Sequence, residues 1–436
     1  MGIKAFNTFL KKQGAALQVQ RFRTYLTKIL EGFAVNHEIR VYIETYVLPL
    51  NDVEAMVQIL KTLVEPLQRL NTAQSNELAH LISTEVQEVA NGDPLRKRIP
   101  LSQFCGQRIA IDANNWMFMH ISVAHRRTVH ATNFGSEEVD RGLTIHTWLT
   151  KLLDDILLYL NYGVTPIFVF DGEYPEEKKL TKDKRGEKKS LLRERITEIK
   201  GALEEADILE RNEALVSEYK KLLSQDTYVS REEVDLMKRV LRGLGIPWLQ
   251  AKCEAEKLAT TLAIEGKVAA VFSNDTDNLT HGCPCLATGF EGHNLVCISV
   301  TDVLDLLKIS FSTFVDLCIM AGCDYNENIK NLGIGKAYNL LREYHRIDYL
   351  PPKYDTTCLN YQRCRELFAY TNSTELIADG HLDLQKEQLE KGHEVLAEVK
   401  LSHYLYKLQP HYSCWSMATD VPPRTPYKPK LVIVVD

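Results

Sequence analysis

Seven carboxylates, spread over more than two hundred residues, stand where an acidic two-metal site would need them. They are Asp112 in IAIDAN, Asp171 in IFVFDG, Glu254 and Glu256 in CEAE, Asp275 and Asp277 in SNDTD, and Asp324 in GCDY. Asp112, Asp171 and Asp275 each close a run that reads as a buried strand, and open parallel sheets bind ligands outside the carboxyl ends of their strands. Acids gathered at such a point repel one another and resist ionising. Bound cations relieve that repulsion, and hard oxygen donors select Mg²⁺ or Mn²⁺. Two such ions ~3.5–4 Å apart can activate water and stabilise a leaving oxygen in one in-line displacement at phosphorus. Each acid alone has a plainer use, since an Asp after a strand also caps the following helix. Glu254 and Glu256 would point roughly 200° apart on a regular helix, so both reach one site only from a loop or a first turn. Acids placed there also simply complement a helix N-terminus.

Acids cannot receive a phosphate without cations to neutralise the developing charge. Residues 177–200 carry ten Lys/Arg against five Asp/Glu. Within them Lys178 and Arg185 are seven apart, on one helix face two turns from each other. The same two residues also read as ordinary solvated members of a basic run.

From 108 to 300, strand and helix patterns alternate as in a βαβ succession, with strands expected at 108–113, 165–170, 246–249 and 269–273. The long charged segment 177–225 reads as helical, and helices dominate after 300. Phe6, Phe9 and Leu10 share a helical face in the apolar-patterned start, 1–12. Residues 13–98 are strand-poor and helix-patterned: Asn51-Asp52 can cap a helix over VEAMVQILKTLVEPLQRL, and 72–90 repeats the pattern before NGDPLRKR marks a boundary.

The 45% apolar and 25% charged composition is that of a soluble globular protein. No apolar stretch approaches the ~20 residues of a membrane span, and the start lacks the apolar core of a secretory signal. The ten cysteines form no zinc pattern; Cys105, Cys297, Cys318 and Cys323 read as small core residues in a reduced, intracellular chain. His120, His125 and His130, five apart, suit neither a helix face nor a metal motif and read as structural or surface residues. The net charge of −6 is unevenly spread: residues 31–95 hold ten acids and three Lys/Arg, a net −7, so the rest carries +1, and +8 once the seven carboxylates are set aside. A basic body around an acidic centre suits a phosphodiester substrate.

The ordered blocks MGIKAF, IAIDANNWMF, PIFVFDGEYPEEKK, LGIPWLQAKCEAEKLA, VFSNDTDNLTHG and FVDLCIMAGCDYNENIKNLGIGKA resemble those of the flap endonuclease branch of the XPG-like structure-specific nucleases, over 1–12 and roughly 100–345. The resemblance implies a PIN-like (resolvase-like) α/β fold: a central, mostly parallel sheet flanked by helices, with a helical arch at about 177–225 and a helix–turn–helix hairpin in 301–345. By it, 1–12 and 99–300 form the catalytic core, 13–98 is an inserted helical subdomain, and 346–436 is a C-terminal helical extension with an extended tail. It implies two Mg²⁺, with Mn²⁺ as substitute: Asp112, Asp171, Glu254 and Glu256 at one, Asp275, Asp277 and Asp324 at the other. It assigns catalytic roles to Lys178, Arg185, Asp112 and Asp275. Gly2 falls where the family packs its second residue near the metals, and Phe118 where an aromatic stacks on a terminal base. Gly333, Gly335 and Lys336 fall in the hairpin that grips duplex phosphates, often beside a K⁺ ion.

The implied activity is Mg²⁺-dependent 5′ flap endonuclease and 5′→3′ exonuclease cleavage of branched or nicked DNA in replication or repair. An RNA-directed nuclease on the same fold, or a non-cutting DNA-binding scaffold, are the alternatives. There are three departures. Asn331 and Ile334 replace the hairpin's usual Gly and Pro, 13–98 interrupts the pattern and offers a protein-binding surface, and the C-terminal segment lacks a sliding-clamp box. No membrane partner is expected.

Overall fold

The computed structural model describes residues 3–32, 37–69, 78–80, 82, 95–132, 138–205, 213–385 and 389–414. Its contacts divide it into two compact units, one of Arg98–Thr301 and Phe311 onward, the other of Gly2–Lys97 with Asp302–Ser310. None of the described helices is long and apolar enough to cross a membrane.

The larger unit is built on an eight-stranded sheet in the order β1-β7-β6-β5-β2-β3-β4-β8. The strands are β1 Lys97–Pro100, β2 Arg108–Asp112, β3 Thr165–Phe170, β4 Trp248–Ala251, β5 Ala270–Phe272, β6 Leu286–Glu291, β7 Asn294–Ile298 and β8 Ile377–His381. The centre is parallel: β2 pairs with β3 and β5, β3 with β4, and β5 with β6. Such strands are covered on both faces and read as unbroken apolar runs; every residue of TPIFVF in β3 is buried. Helices at Ala113–Ala131, Arg141–Asn161 and Arg231–Gly243 join Trp116, Trp148, Leu152 and Met237 to Phe168 and Phe170 in the main core. Arg231–Gly243 opens on a capping box, Ser230 with Glu233.

Two expectations shift here. The strand read at 246–249 forms at Trp248–Ala251 instead, because Pro247 has no N–H to give a ladder. The C-terminal segment read as helical supplies β8, which pairs antiparallel with β4. Gly380 makes that possible. Its φ is +110°, and a Cβ there would lie 2.1 Å from the Trp248 carbonyl oxygen. The 415–436 stretch lies outside the described residues, as does most of 72–90.

In the smaller unit a single helix, Ile3–Gly32, carries both the start and the beginning of the expected insertion, so no break appears at residue 12. Val19, Phe22, Leu26, Ile29 and Leu30 recur at helical spacing and pack with Met56, Val57, Leu60 and Leu67. Asp52 caps the Val53–Lys61 helix as expected, accepting from the Ala55 N–H at 2.7 Å. The apolar run continues only after a turn, as Val64–Arg69. Arg23 ties the first helix to the loop, donating to the Leu50 carbonyl at 2.8 Å and Asn51 Oδ1 at 2.7 Å.

His120 and His125 both have structural contacts. The His125 ring nitrogen Nε2 lies 3.0 Å from the Leu223 carbonyl. The His120 ring packs on Trp116 with centroids 4.2 Å apart. Burial, helped by the charge of Lys151, lowers the His120 pKa from 6.5 to about 4. The folded chain thus favours neutral His120. As pH falls from 6.5 towards 4 the unfolded chain takes up a proton that the folded chain refuses, and stability declines over that window. Urea midpoints should drop between about pH 7 and about pH 5, and His120→Gln should flatten the drop; an unchanged slope in the variant would remove His120 as a cause. Cys297, Cys318 and Cys323 are buried, but Cys105 is exposed rather than part of the core, because it sits in the turn between β1 and β2, beside the positive-φ Gly106.

Candidate active site

Four neighbouring parallel strands, β5, β2, β3 and β4, all deliver acids at their carboxyl ends. Asp112 is the last residue of β2 and also caps the next helix, accepting from the Asn115 N–H at 3.0 Å. The expected capping role is met, and the same carboxylate stands at the strand end. Its other oxygen accepts from Ser273 Oγ at 3.2 Å, which links β2 to the segment after β5. Asp171 follows β3; Oδ1 accepts from the Ala255 N–H at 2.8 Å and Oδ2 from the Tyr174 hydroxyl at 3.2 Å. Glu254 is the N-cap residue of the Ala255–Ile264 helix, and Glu256 sits in its first turn. The first turn is what lets two acids so close in sequence serve one site. After β5, Asp275 Oδ1 accepts from the Asp277 N–H at 3.0 Å. Asp324 comes from the loop after the Phe311–Ala321 helix.

Electrostatics join the seven. Burial and then the charges of Asp171 and Asp275 push the Asp112 pKa up to about 7. Burial and then Asp275 do the same to Asp277, also to about 7. Glu256 is raised by burial, Asp275, Asp277 and Glu254. A cluster this reluctant to ionise needs positive charge.

Lys178 and Arg185 supply part of it. Lys178 lies in a 3₁₀ turn, Glu176–Lys178, one residue before the Lys179–Glu205 helix. Its ammonium pairs with Glu254 Oε1 and lies 3.3 Å from Asp324 Oδ2. Burial opposes its charge, but Glu256, Glu254 and Asp324 outweigh that and hold it protonated. The Arg185 guanidinium spans both Asp324 oxygens, at 2.9 and 3.1 Å. Thr181 Oγ1 donates to the Asp324 carbonyl at 2.9 Å. The start of the Lys179–Glu205 helix is thus fastened to the acids.

Carboxylate oxygens raised in pKa by one another are the donor set a hard divalent ion takes. Among the described residues no three acidic, cysteine or histidine side chains already stand at metal-ligating spacing. Lys178 holds Glu254 and Asp324 as ion pairs, and it must yield for an ion to take them.

Phe118 is 53% exposed on the Ala113–Ala131 helix. At the hairpin, Asn331 takes φ +61°, the left-handed conformation that Asn tolerates better than most residues. Gly333 caps the Ile334–Tyr344 helix, and Lys336 Nζ donates to the Asn331 carbonyl at 3.1 Å. Gly2 lies outside the described residues. Sequence reasoning passed over Tyr174, Tyr325, Ser273 and Thr181. Tyr325 donates its hydroxyl to Glu254 Oε2. The only signal was adjacency, since Tyr325 follows Asp324 and Tyr174 stands three residues after Asp171.

Known proteins share this arrangement of segments. The XPG N-terminal domain matches residues 87–191 and the XPG I-region matches 245–324. The first contains Asp112, Asp171, Lys178 and Arg185, the second the remaining five acids. Flap endonuclease 1 of Cryptosporidium muris is 31% identical over 293 residues, 62% of this chain and 58% of that protein. The chain therefore spans less than two thirds of that relative. Flap endonuclease 1-A of Oryza sativa subsp. japonica is 30% identical over 295 residues, 65% of this chain and 73% of the relative. In fold the chain is similar to flap endonuclease-1 from Methanococcus jannaschii, with a TM-score of 0.51 over 74% of this chain and 98% of the other, at 24% identity. Matched domains, relatives and fold agree with the order of the acidic blocks, and the chain belongs to the XPG-like flap endonuclease family.

Proposed function

We propose that this chain is a metal-dependent nuclease that cuts branched or nicked DNA near a free 5′ end. The observation that carries the reading is the meeting of seven carboxylates from four adjacent strand ends and one loop with two arch cations. Asp112, Asp171, Glu254 and Glu256 would hold one Mg²⁺, and Asp275, Asp277 and Asp324 the second. Bound there, the ions supply the charge that activates water and stabilises the leaving oxygen. The chain's own residues orient and neutralise. Ser273 and the Asn115 N–H fix Asp112, Tyr174 and the Ala255 N–H fix Asp171, and Lys178 and Arg185 move from the acids to the scissile phosphate. Phe118, half-exposed on the helix that Asp112 caps, stacks on a terminal base.

At the hairpin, a Cβ at Gly333 or Gly335 would meet nothing within 4 Å, and neither residue has a positive φ. The fold does not itself require glycine there. Open backbone N–H groups suit close approach of a duplex phosphate, with Lys336 beside them; a K⁺ ion, if bound, would be held by backbone carbonyls of this turn. Cleavage of 5′ flap DNA, its RNA counterpart and linear duplex, each in Mg²⁺ and in EDTA, tests the reading. Flap DNA should be cut in Mg²⁺ alone. Preferential cutting of the RNA flap would move the substrate class, and binding without cutting would make the chain a scaffold.

The helical unit around 13–98 contacts protein rather than DNA in this reading, since its 31–95 portion carries a net −7 and DNA-binding surfaces work through Lys and Arg. Phe22 is fully buried in its core. Phe22→Ala should destabilise that unit by ~3–5 kcal/mol, seen in chemical denaturation, while flap affinity and its salt slope stay unchanged. A flattened salt slope would place the unit on the DNA.

A further inference from the structure

Lys178, and the two acids that its ammonium meets, share a support outside both matched domains, the helix Tyr361–Phe368. Arg363 of that helix donates through Nε to Glu177 Oε1 at 2.7 Å, and Glu177 immediately precedes Lys178 in the 3₁₀ turn. On the same helix the Leu367 carbonyl accepts from the ammonium of Lys257, three residues after Glu254, at 2.9 Å. The Cys364 thiol is hydrogen-bonded to that of Cys323, which adjoins Asp324. Lys178, Glu254 and Asp324 thus each lie within three residues of an anchor on one short helix. Arg365 keeps that helix in place, donating twice at 2.7 Å to the fully buried Asp316.

We propose that Arg363 is a positioning residue for the cut: by holding Glu177 it aims the turn that carries Lys178 and keeps the Glu177 carboxylate away from that ammonium. The proposal rests on the nuclease reading. Burial marks this pair off from an ordinary surface bridge, which contributes little. The Glu177 side chain is only 19% exposed, and its Oε2 is buried with no hydrogen-bond partner among the described residues. A carboxylate in that state is costly unless a cation meets it, and Arg363 does so at 2.7 Å. Glu366 fixes the direction of the guanidinium by accepting from its Nη1 at 2.9 Å. Freed from Arg363, Glu177 would stand one residue from the ammonium that pairs with Glu254 and Asp324, and would compete with them for it. Arg363 therefore acts through Glu177 and not on the seven acids directly.

The test uses the full chain, with single-turnover cleavage of 5′ flap DNA in Mg²⁺ at saturating enzyme and, separately, Ca²⁺ binding by calorimetry without DNA. Arg363→Met keeps the stem and removes the guanidinium. Its rate at saturation should fall about tenfold, within the ~10²-fold that a misplacement of about 1 Å can cost, while its affinity for the flap in Ca²⁺ holds. Its Ca²⁺ affinity without DNA should rise, because a lysine drawn to Glu177 no longer opposes the ion at Glu254 and Asp324. Adding Glu177→Gln removes the competing charge and should return both readouts most of the way to wild type. Arg363→Lys, whose single point charge does not hold the fork's fixed direction, should show the same two changes in smaller measure, and it carries the test if urea denaturation shows the Met variant unfolded. Full-rate cutting by Arg363→Met, unchanged Ca²⁺ affinity, a loss confined to flap binding, or a defect that Glu177→Gln does not relieve would each overturn the proposal. If the wild-type chain cuts nothing, the nuclease reading fails, and Ca²⁺ calorimetry still decides the role of Arg363 on its own.

Discussion

Asp275→Asn should abolish cleavage and leave DNA binding intact or tighter. The charge of Asp275 raises three of the other acids, Asp112, Glu256 and Asp277. Its oxygen also accepts from the Asp277 N–H at 3.0 Å. Asparagine keeps the shape and that acceptor, so the local turn survives. It removes one negative charge from the centre and with it a donor for a divalent ion. Single-turnover cleavage should fall by at least ~10²–10³-fold, the scale of losing one charge-stabilising group at a reacting centre. Flap affinity measured in Ca²⁺ should hold or rise, because a phosphate then approaches a less negative pocket. Near-normal cleavage by the variant would mean that the second ion does not depend on Asp275. The proposed two-metal assignment would then be wrong.

How much of this could be read beforehand depended on what each element owed to its own residues. β2, β3 and β5 were legible because parallel strands buried on both faces are apolar throughout, and an acid then ends each run abruptly. β8 was illegible for the opposite reason. Asp379 and Gly380 are poor strand formers, and the segment pairs because the edge of β4 offers it a ladder. The run of Ile3–Gly32 was misdivided at residue 12 because the familiar opening block ends there, while the physical helix meets no proline until well beyond it. Within the site, the acids were visible through the strand ends that carry them. Lys178 and Arg185 were visible through spacing, although Lys178 lies one residue outside the helix and the two meet at Asp324 rather than by sharing a regular face. Tyr174 and Tyr325 had no such signal. A single aromatic acquires its role only when the chain brings a carboxylate to it.

Lys178→Ala should lower the single-turnover rate by ~10²-fold or more at saturating substrate. The reason lies in what Lys178 does before substrate arrives. Its ammonium pairs with Glu254 and lies 3.3 Å from Asp324, acids proposed for different ions, so it supplies positive charge that bound metals would take over. With divalent ions on those carboxylates, the ammonium would be freed at the edge of the site to face a phosphate. Two measurements follow from this competition. Lys178→Met, which keeps the stem and loses the charge, should bind Ca²⁺ more tightly than wild type in calorimetry without DNA, because no resident cation opposes the ion. The same variant should cut slowly however much substrate is present. A lysine that merely attracts DNA would behave differently: binding would weaken, the rate at saturation would be normal, and Ca²⁺ affinity would not change. Arg185 separates the two roles further. It is 65% exposed and holds Asp324 alone, so Arg185→Ala should disturb Ca²⁺ affinity less than Lys178→Met while still slowing the cut.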